Sequence, residues 1–489
     1  MPIVRPDFPD DTQRPAYHFV APRNWLNAPN GHFYWDDTYH LFYQYRDVPH
    51  NEGTDGFGIW AHAATENFID WVDYPHAFIG NPDGPDYVGC WSGGHIRHEG
   101  THYLVYWGNR GGMCMGTSSD GFRTWQKHER YPFIAAPTED DEWFLHDPTL
   151  WHDGDWIYLC SGWQIGEARG IGTSKDAGFM FRSRNMLDWE YTGLFYEPGE
   201  ESDLAVPDFF PFGDTHMLLF ASHTRGAQYY LGSYTDGKFT PEQHGRINYT
   251  ICDPDPGMQI SGDLIAPRSW ETPDGRRIMI AWIAEGRDSE AMKTAGWSGI
   301  MSIPRVLWMG DDGTVRTGPA RELEALRGEH VGLAAQSTDG AELTIEGVAG
   351  DRLELVAEID CGSARQVGLK FRCSPDGSEQ TVVTIDRDTR EAVLAVASSS
   401  ADDSLPGLLP HQAAYAPDGG TVQLRAFLDA SVIEVFVDDR LCLTKRIYPT
   451  RADSSGVRFF AAGGKASLRR FDCWQMGVST YTSFDQAAE

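Results

Sequence analysis

The chain has 489 residues, too many for one ordinary hydrophobic core, so two domains are the expectation. With 40 Lys and Arg against 71 Asp and Glu it carries a formal charge of -31, which argues against nucleic-acid phosphates and anionic membrane surfaces as partners. No apolar run approaches the ~18 residues of a membrane span, and the 8 Cys lack the close CxxC pairing of a zinc site or a disulfide framework.

The N-terminal stretch MPIVRPDFPDDTQRP has no apolar h-region, so the sequence is expected to stay unexported, in the cytoplasm. Beyond it, short apolar and aromatic runs recur: YHLFYQY, HYLVYWG, WIYLCSG, HMLLFAS and RIMIAWI. Anchored on Tyr43, Tyr106, Leu159, Phe220 and Ala281, they are spaced by about 63, 53, 61 and 61 residues, near the period of propeller blades. The segments FIDW, FRTW and MLDW, ending in Trp71, Trp125 and Trp189, repeat at a similar interval. Helical periodicity is scarce, whereas Gly, Pro, Asn and Asp punctuate short strands throughout. The expectation is a five-bladed β-propeller over residues 1–325.

Upstream of each anchor by about 12 to 15 residues lies a polar segment: NAPNG, WSGGH, HDPTL, AVPDF or LIAPRSW, the innermost strand of its blade in a radial architecture. Innermost strands share the axis, so Ala28, Ser92, Asp147, Ala205, Asp208 and Asp263 are expected to line one funnel. After this region ARELEALRGEHVGL reads as a short connector, placed at 326–336. From 337 to 489, alternating strands such as RLELVAEID and SVIEVFVDD predict an antiparallel β-sandwich with a supporting role. The 17 Trp and 20 Tyr suit packing against sugar faces, and they suit aromatic-rich β-packing equally well.

WLNAPNG with YHLFYQY, then WAHA, GCWSGG, HDPTLW, VPDFFPF, LIAPRSW and GWSGIMSIPR, resembles in order and spacing glycoside hydrolase family 32, the invertases, levanases and inulinases. LDASVIEVFVDD, RIYP and FFAAGG are similar to that family's C-terminal sandwich. The resemblance covers nearly the whole chain. It implies a propeller funnel that cleaves β-fructosyl bonds with retention, through a carboxylate nucleophile and a carboxyl acid/base ~5 Å apart. Laid on this sequence, the nucleophile position is Ala28 and the acid/base position is Ala205. The transition-state stabiliser position is Asp147, with His146 where the family has Arg, and Val206 replaces the usual Cys.

Asp203, two residues before Ala205, shares its face in an extended strand but starts roughly 7 Å along. It stands as a substitute acid, against the blander reading of a solvated charge in EPGEESD. Asn27, Gln44, Trp60, Trp91 and Ser92 match positions that line the family's fructosyl pocket. Asp208 is placed either facing sugar or capping a turn. Asp263 and Arg268 are placed either on sugar hydroxyls or in an ion pair within the barrel. His95, His98 and His102 are expected on a solvated hairpin with no metal. The resemblance implies no cofactor, and a small fructoside or related furanoside as ligand. Two functional readings stand side by side: a β-fructofuranosidase-like protein without its usual cutting chemistry, or with a different acid such as Asp203; and a non-hydrolytic relative that binds a furanoside.

Overall fold

The computed structural model describes residues 3–48, 58–166, 173–247, 249, 263–402, 405 and 409–487. Five mainly antiparallel sheets follow one another along the chain, then two sheets of seven and six strands face each other. The first blade consists of Asn24–Trp35, Thr38–Arg46, Ile59–Thr65 and Asp70–Ile79. Gly93–His98, Thr101–Trp107, Gly112–Thr117 and Gln126–Lys127 make the second, and Pro148–Asp153, Trp156–Gly166, Ser174–Ser183 and Glu190–Leu194 the third. The fourth comprises Ala205–Phe212, Thr215–Ser222, Gly226–Thr235 and Lys238–Arg246; the fifth comprises Leu264–Glu271, Arg277–Ile283, Arg305–Met309 and Val315–Pro319. The five anchor residues all lie on the second strand of a blade, which explains their even spacing.

The FIDW-type repeats are tight turns into the outermost strand. Phe68, Phe122 and Met186 occupy the same place in three such turns and all take positive φ, at 60°, 66° and 65°. Side chains make this left-handed step tolerable by satisfying the freed amides. Asn67 Oδ1 accepts from the N–H groups of Ile69 and Asp70, and Asn185 Oδ1 from those of Leu187 and Asp188.

The ring closes where Asn24 and Trp25 pair in parallel with Trp297 and Ser298. A second closure lies at the rim: Thr480–Ser483, near the end of the chain, adds in parallel to Asp70–Ile79, the outer strand of the first blade. That blade's exposed edge is thereby covered.

The stretch expected as a connector at 326–336 is not one. Arg321–Leu326 forms a short 3-10 helix, and Arg327–Leu333 is already a sandwich strand, paired with Lys465–Met476. The sandwich core is almost wholly aliphatic, with Leu353, Val367, Leu369, Val383, Leu424 and Val435 fully buried between the sheets. Alternating inward residues of both sheets produce it.

Charged groups join sandwich to propeller. Asp429 accepts from the backbone N–H groups of Ala16, Tyr17 and His18 at 2.7, 2.8 and 2.9 Å. His18 sits between Asp429 and Glu434, at 2.9 and 3.2 Å, and Arg305 of the fifth blade pairs with Glu434. The side chains of all four are fully buried. Paired charges with satisfied lone pairs are the form in which such burial is tolerated.

Candidate active site

Three innermost strands share a local irregularity at their N-terminal ends. Register slips between Leu26 and Pro29, between Ala205 and Asp208, and between Ile265 and Arg268. A proline marks each slip: Pro207 and Pro267 lie within theirs, and Pro29 stands where pairing resumes. Proline has no N–H for the ladder, so these strands bulge where they reach the axis. Val206 and Ala266 take positive φ of 49° and 56° at the bulges, which re-aims neighbouring side chains. In the second blade Gly93 enters the strand instead; a Cβ there would lie 1.9 Å from the Val105 carbonyl oxygen, so only glycine fits.

The bulges bring Ala28 and Ala205 together. Ala28, Ala205, Val206, Ala221, Ile265 and Ala266 form one buried apolar cluster against Trp282. Asp147 adjoins it from the third blade, where its Oδ2 accepts the Val206 N–H at 3.0 Å and lies 3.2 Å from His146 Nδ1. Burial alone pushes the Asp147 carboxyl upward. The His146 imidazole, the Val206 N–H and the Arg268 guanidinium outweigh that effect and hold it below the usual carboxylate range.

His146 itself is clasped between rings. Its imidazole stacks on Trp163 at 4.0 Å and meets Trp107 at 4.2 Å, and Trp107 lies 6.3 Å from Trp91. All three indoles are partly exposed, so they form an aromatic wall beside Asp147. Trp107 and Trp163 escaped the sequence reading because each sits inside a second-strand run whose apolar pattern signals packing.

The first two blades are bolted together around Ala28. Asn27 Oδ1 accepts the Ala28 N–H at 2.5 Å, and buried Asn30 donates to the Ala28 carbonyl while accepting from Gly93 N–H. Gln44 Nε2 donates to Ser92 Oγ at 2.9 Å. Trp60 is no pocket platform: it is fully enclosed against Phe42, Phe78 and Tyr106, with its Nε1–H on the Trp91 carbonyl.

Other expectations change as well. Asp208 caps no turn: its Oδ2 accepts from Ser269 N–H and Oγ–H at 2.9 and 2.8 Å, which ties the inner strands of blades four and five. Asp263 and Arg268 neither bind each other nor share a pocket. Asp263 pairs with Lys445 and with His411 Nε2 of the sandwich, so it belongs to the domain interface. Arg268 is 1% exposed and spans the axis, donating to the carbonyls of Pro207 and Gly93; it ties blades five, four and two.

Asp203 is not a solvated charge. It is fully buried, with Oδ1 accepting from Ser202 Oγ at 2.9 Å and from His223 N–H at 3.0 Å, and with Oδ2 on His223 Nδ1. The hairpin's tip at Arg97, Glu99 and Gly100 is exposed, but His95 and His102 turn inward. His95 Nε2 lies 3.0 Å from His102 Nδ1 and stacks on Phe33, while His98 stacks on His152. Among the described residues no group of His, Cys, Asp and Glu is arranged to hold a metal ion, and no helix is long and apolar enough to cross a membrane.

Comparison with known proteins covers both domains. Residues 18–319 match the family model for the glycosyl hydrolases family 32 N-terminal domain, and residues 322–475 that for the family 32 C-terminal domain. A sucrose-6-phosphate hydrolase of Zymomonas mobilis is 28% identical over 97% of this chain and 94% of its own. A raffinose invertase of Escherichia coli is 28% identical over 95% and 96%. Among solved structures, fructan 1-exohydrolase IIa from Cichorium intybus superposes with a TM-score of 0.83 at 20% identity, covering 97% of this chain and 99% of that one. A Bombyx mori β-fructofuranosidase mutant in complex with sucrose gives 0.73 at 21% identity, covering 96% and 95%.

Proposed function

Because the chain belongs to glycosyl hydrolase family 32, we propose that its propeller funnel binds a β-linked fructoside or a closely related furanoside through Asp147, Asn27 and the Trp91, Trp107 and Trp163 wall. The observation that carries this reading is the placement of an anionic Asp147 against the Ala28 and Ala205 cluster, beside partly exposed indoles. A carboxylate beside aromatic faces suits a sugar ring, with hydroxyls bound at its edge and C–H groups on the flat surface.

Hydrolysis by the family's retaining route is not expected. That route forms a bond from a carboxylate to the anomeric carbon and protonates the leaving oxygen from a second carboxyl. The side chains at Ala28 and Ala205 offer neither. Two anions replaced by methyl groups leave the sugar-binding residues in place while removing the nucleophile and the acid together.

Titration calorimetry with sucrose, 1-kestose and short fructans tests binding: saturable heat is expected with at least one, and absence of heat with every furanoside overturns the reading. The double substitution Ala28→Asp with Ala205→Glu tests ancestry of the chemistry. Fructose release above the parent supports it, and a folded double variant with no gain counts against it.

A further inference from the structure

We propose that His223, held by Asp203, is the proton donor to the leaving-group oxygen of the bound furanoside. The inference rests on the furanoside reading above. Its starting point is the buried Asp203 carboxylate, which cannot reach a substrate because it is enclosed and committed to His223.

The placement follows from strand pairing. Ala205 opens the inner strand of blade four, and its partner across the ladder is Ala221, near the end of the returning second strand. Both residues belong to the apolar cluster around Ala28. Asp203 and His223 lie two residues beyond that rung, one just before the inner strand and the other in the turn after the second strand, and their hydrogen bonds hold them together there. His223 is the exposed member of the pair, its side chain 41% exposed while Asp203 behind it is fully buried, so the imidazole is the group that faces outward. In a pocket closed at its floor, the departing group must project outward as well.

The pair is also rigidly built. The Asp203 carboxylate receives the Ser202 hydroxyl, the His223 N–H and His223 Nδ1. Ser202 Oγ meets Ser222 Oγ at 2.9 Å and Thr224 Oγ1 at 2.7 Å, and neighbouring Glu201 is fixed by Arg225 and Gln228. With Nδ1 taken up by the Asp203 carboxylate, Nε2 is the ring nitrogen left to meet a ligand. This is an oriented acid/base of the kind that a carboxylate creates when it holds a histidine.

In the step assigned to it, His223 Nε2–H gives its proton to the glycosidic oxygen as the bond from that oxygen to the fructosyl C2 breaks, releasing the alcohol. Water adds to the fructosyl cation, whose charge the Asp147 carboxylate balances, and loses its extra proton to solvent. His223 then regains a proton from solvent, so the net reaction is hydrolysis.

Leaving-group dependence tests this. Parent, His223→Gln, His223→Ala and Asp203→Asn proteins are assayed on sucrose and on p-nitrophenyl β-fructofuranoside, with calorimetry of sucrose binding in parallel. A general acid matters for a sugar leaving group and little for nitrophenolate, so His223→Gln is expected to lose about 10²- to 10⁴-fold on sucrose and little on the aryl substrate. Free imidazole is expected to restore part of the His223→Ala rate, and Asp203→Asn to weaken sucrose turnover with binding intact. Equal loss on both substrates, no loss on either, or a parent that binds sucrose without releasing fructose overturns the proposal. Failure of the parent to bind any furanoside is a separate result, which removes the reading beneath it.

Discussion

Val206 donates its backbone N–H to Asp147 across the boundary between the fourth and third blades, at 3.0 Å. The bulge at Pro207 frees this amide from its own ladder, so a strand defect in one blade fixes the charge of another. Asp147→Asn keeps the shape and removes the anion. It is expected to abolish measurable heat with any furanoside that the parent binds, while the melting temperature stays within a few degrees. Retained affinity would separate Asp147 from the ligand.

His18 ties the domains as a cation. Burial disfavours its charged form, but Asp429 and Glu434 outweigh burial and raise its pKa above the ordinary value. A raised folded pKa means the stabilisation is complete below the unfolded value of about 6.5 and disappears as pH climbs through the folded value. The melting temperature is therefore expected to fall on the alkaline side, and His18→Gln should flatten that limb in a pH series of thermal melts.

Removing Glu434 tests the same network from the other side. Glu434→Ala leaves Arg305 buried without its carboxylate partner, at an expected cost of about 3–5 kcal/mol by denaturant titration. A loss below 1 kcal/mol would show that the interface relaxes around the guanidinium.

The opposite pH behaviour is expected between the first two blades. His40 and His62 touch at 2.9 Å, as do His95 and His102 at 3.0 Å, among Phe33, Phe42 and Phe122. Burial lowers His40 to about 3 and His102 to about 4, and pushes His62 and His95 well down. Depressed histidines remain neutral in the fold and charge in the unfolded chain, so stability declines as pH drops below about 6.5. His62→Phe should reduce the acid-side fall in melting temperature; an unchanged slope would place the sensitivity elsewhere.

Gly93→Ala addresses the one inner strand that meets the axis without proline. Its new Cβ would press on the Val105 carbonyl at 1.9 Å, and the backbone must give way. A loss of about 1–3 kcal/mol is expected, together with weaker ligand binding, because the Gly93 N–H is the donor to Asn30 behind Ala28.

Blade number and the order of strands were legible because each blade repeats one packing problem. The second strand is buried on both faces and must be apolar, so Tyr43, Tyr106, Leu159, Phe220 and Ala281 mark the period. The inner-strand prolines were visible too, and with them the convergence of Ala28, Asp147 and Ala205. What sequence hid were side chains whose partners come from distant strands. Asp263 reads like a funnel residue, yet its partners Lys445 and His411 lie in the other domain. Arg268 reads like a hydroxyl donor, but its guanidinium is occupied by carbonyls across the axis. His223 carried no signal at all, since it sits in a turn and acquires meaning only from Asp203, which precedes the neighbouring strand.

The strand Thr480–Ser483 completes a blade whose other strands end at Ile79. Protein synthesis runs from the N-terminus, so the first blade waits until Thr480–Ser483, beyond the whole sandwich, has been made before its outer edge is covered. During that interval Asp70–Ile79 is an open strand edge on the nascent chain, and the sandwich must be translated in full before its tail can return. Deleting Thr480–Ser483 would thus act on the first blade, and a ribosome-bound chain lacking residues 480–487 is where chaperone demand should be greatest.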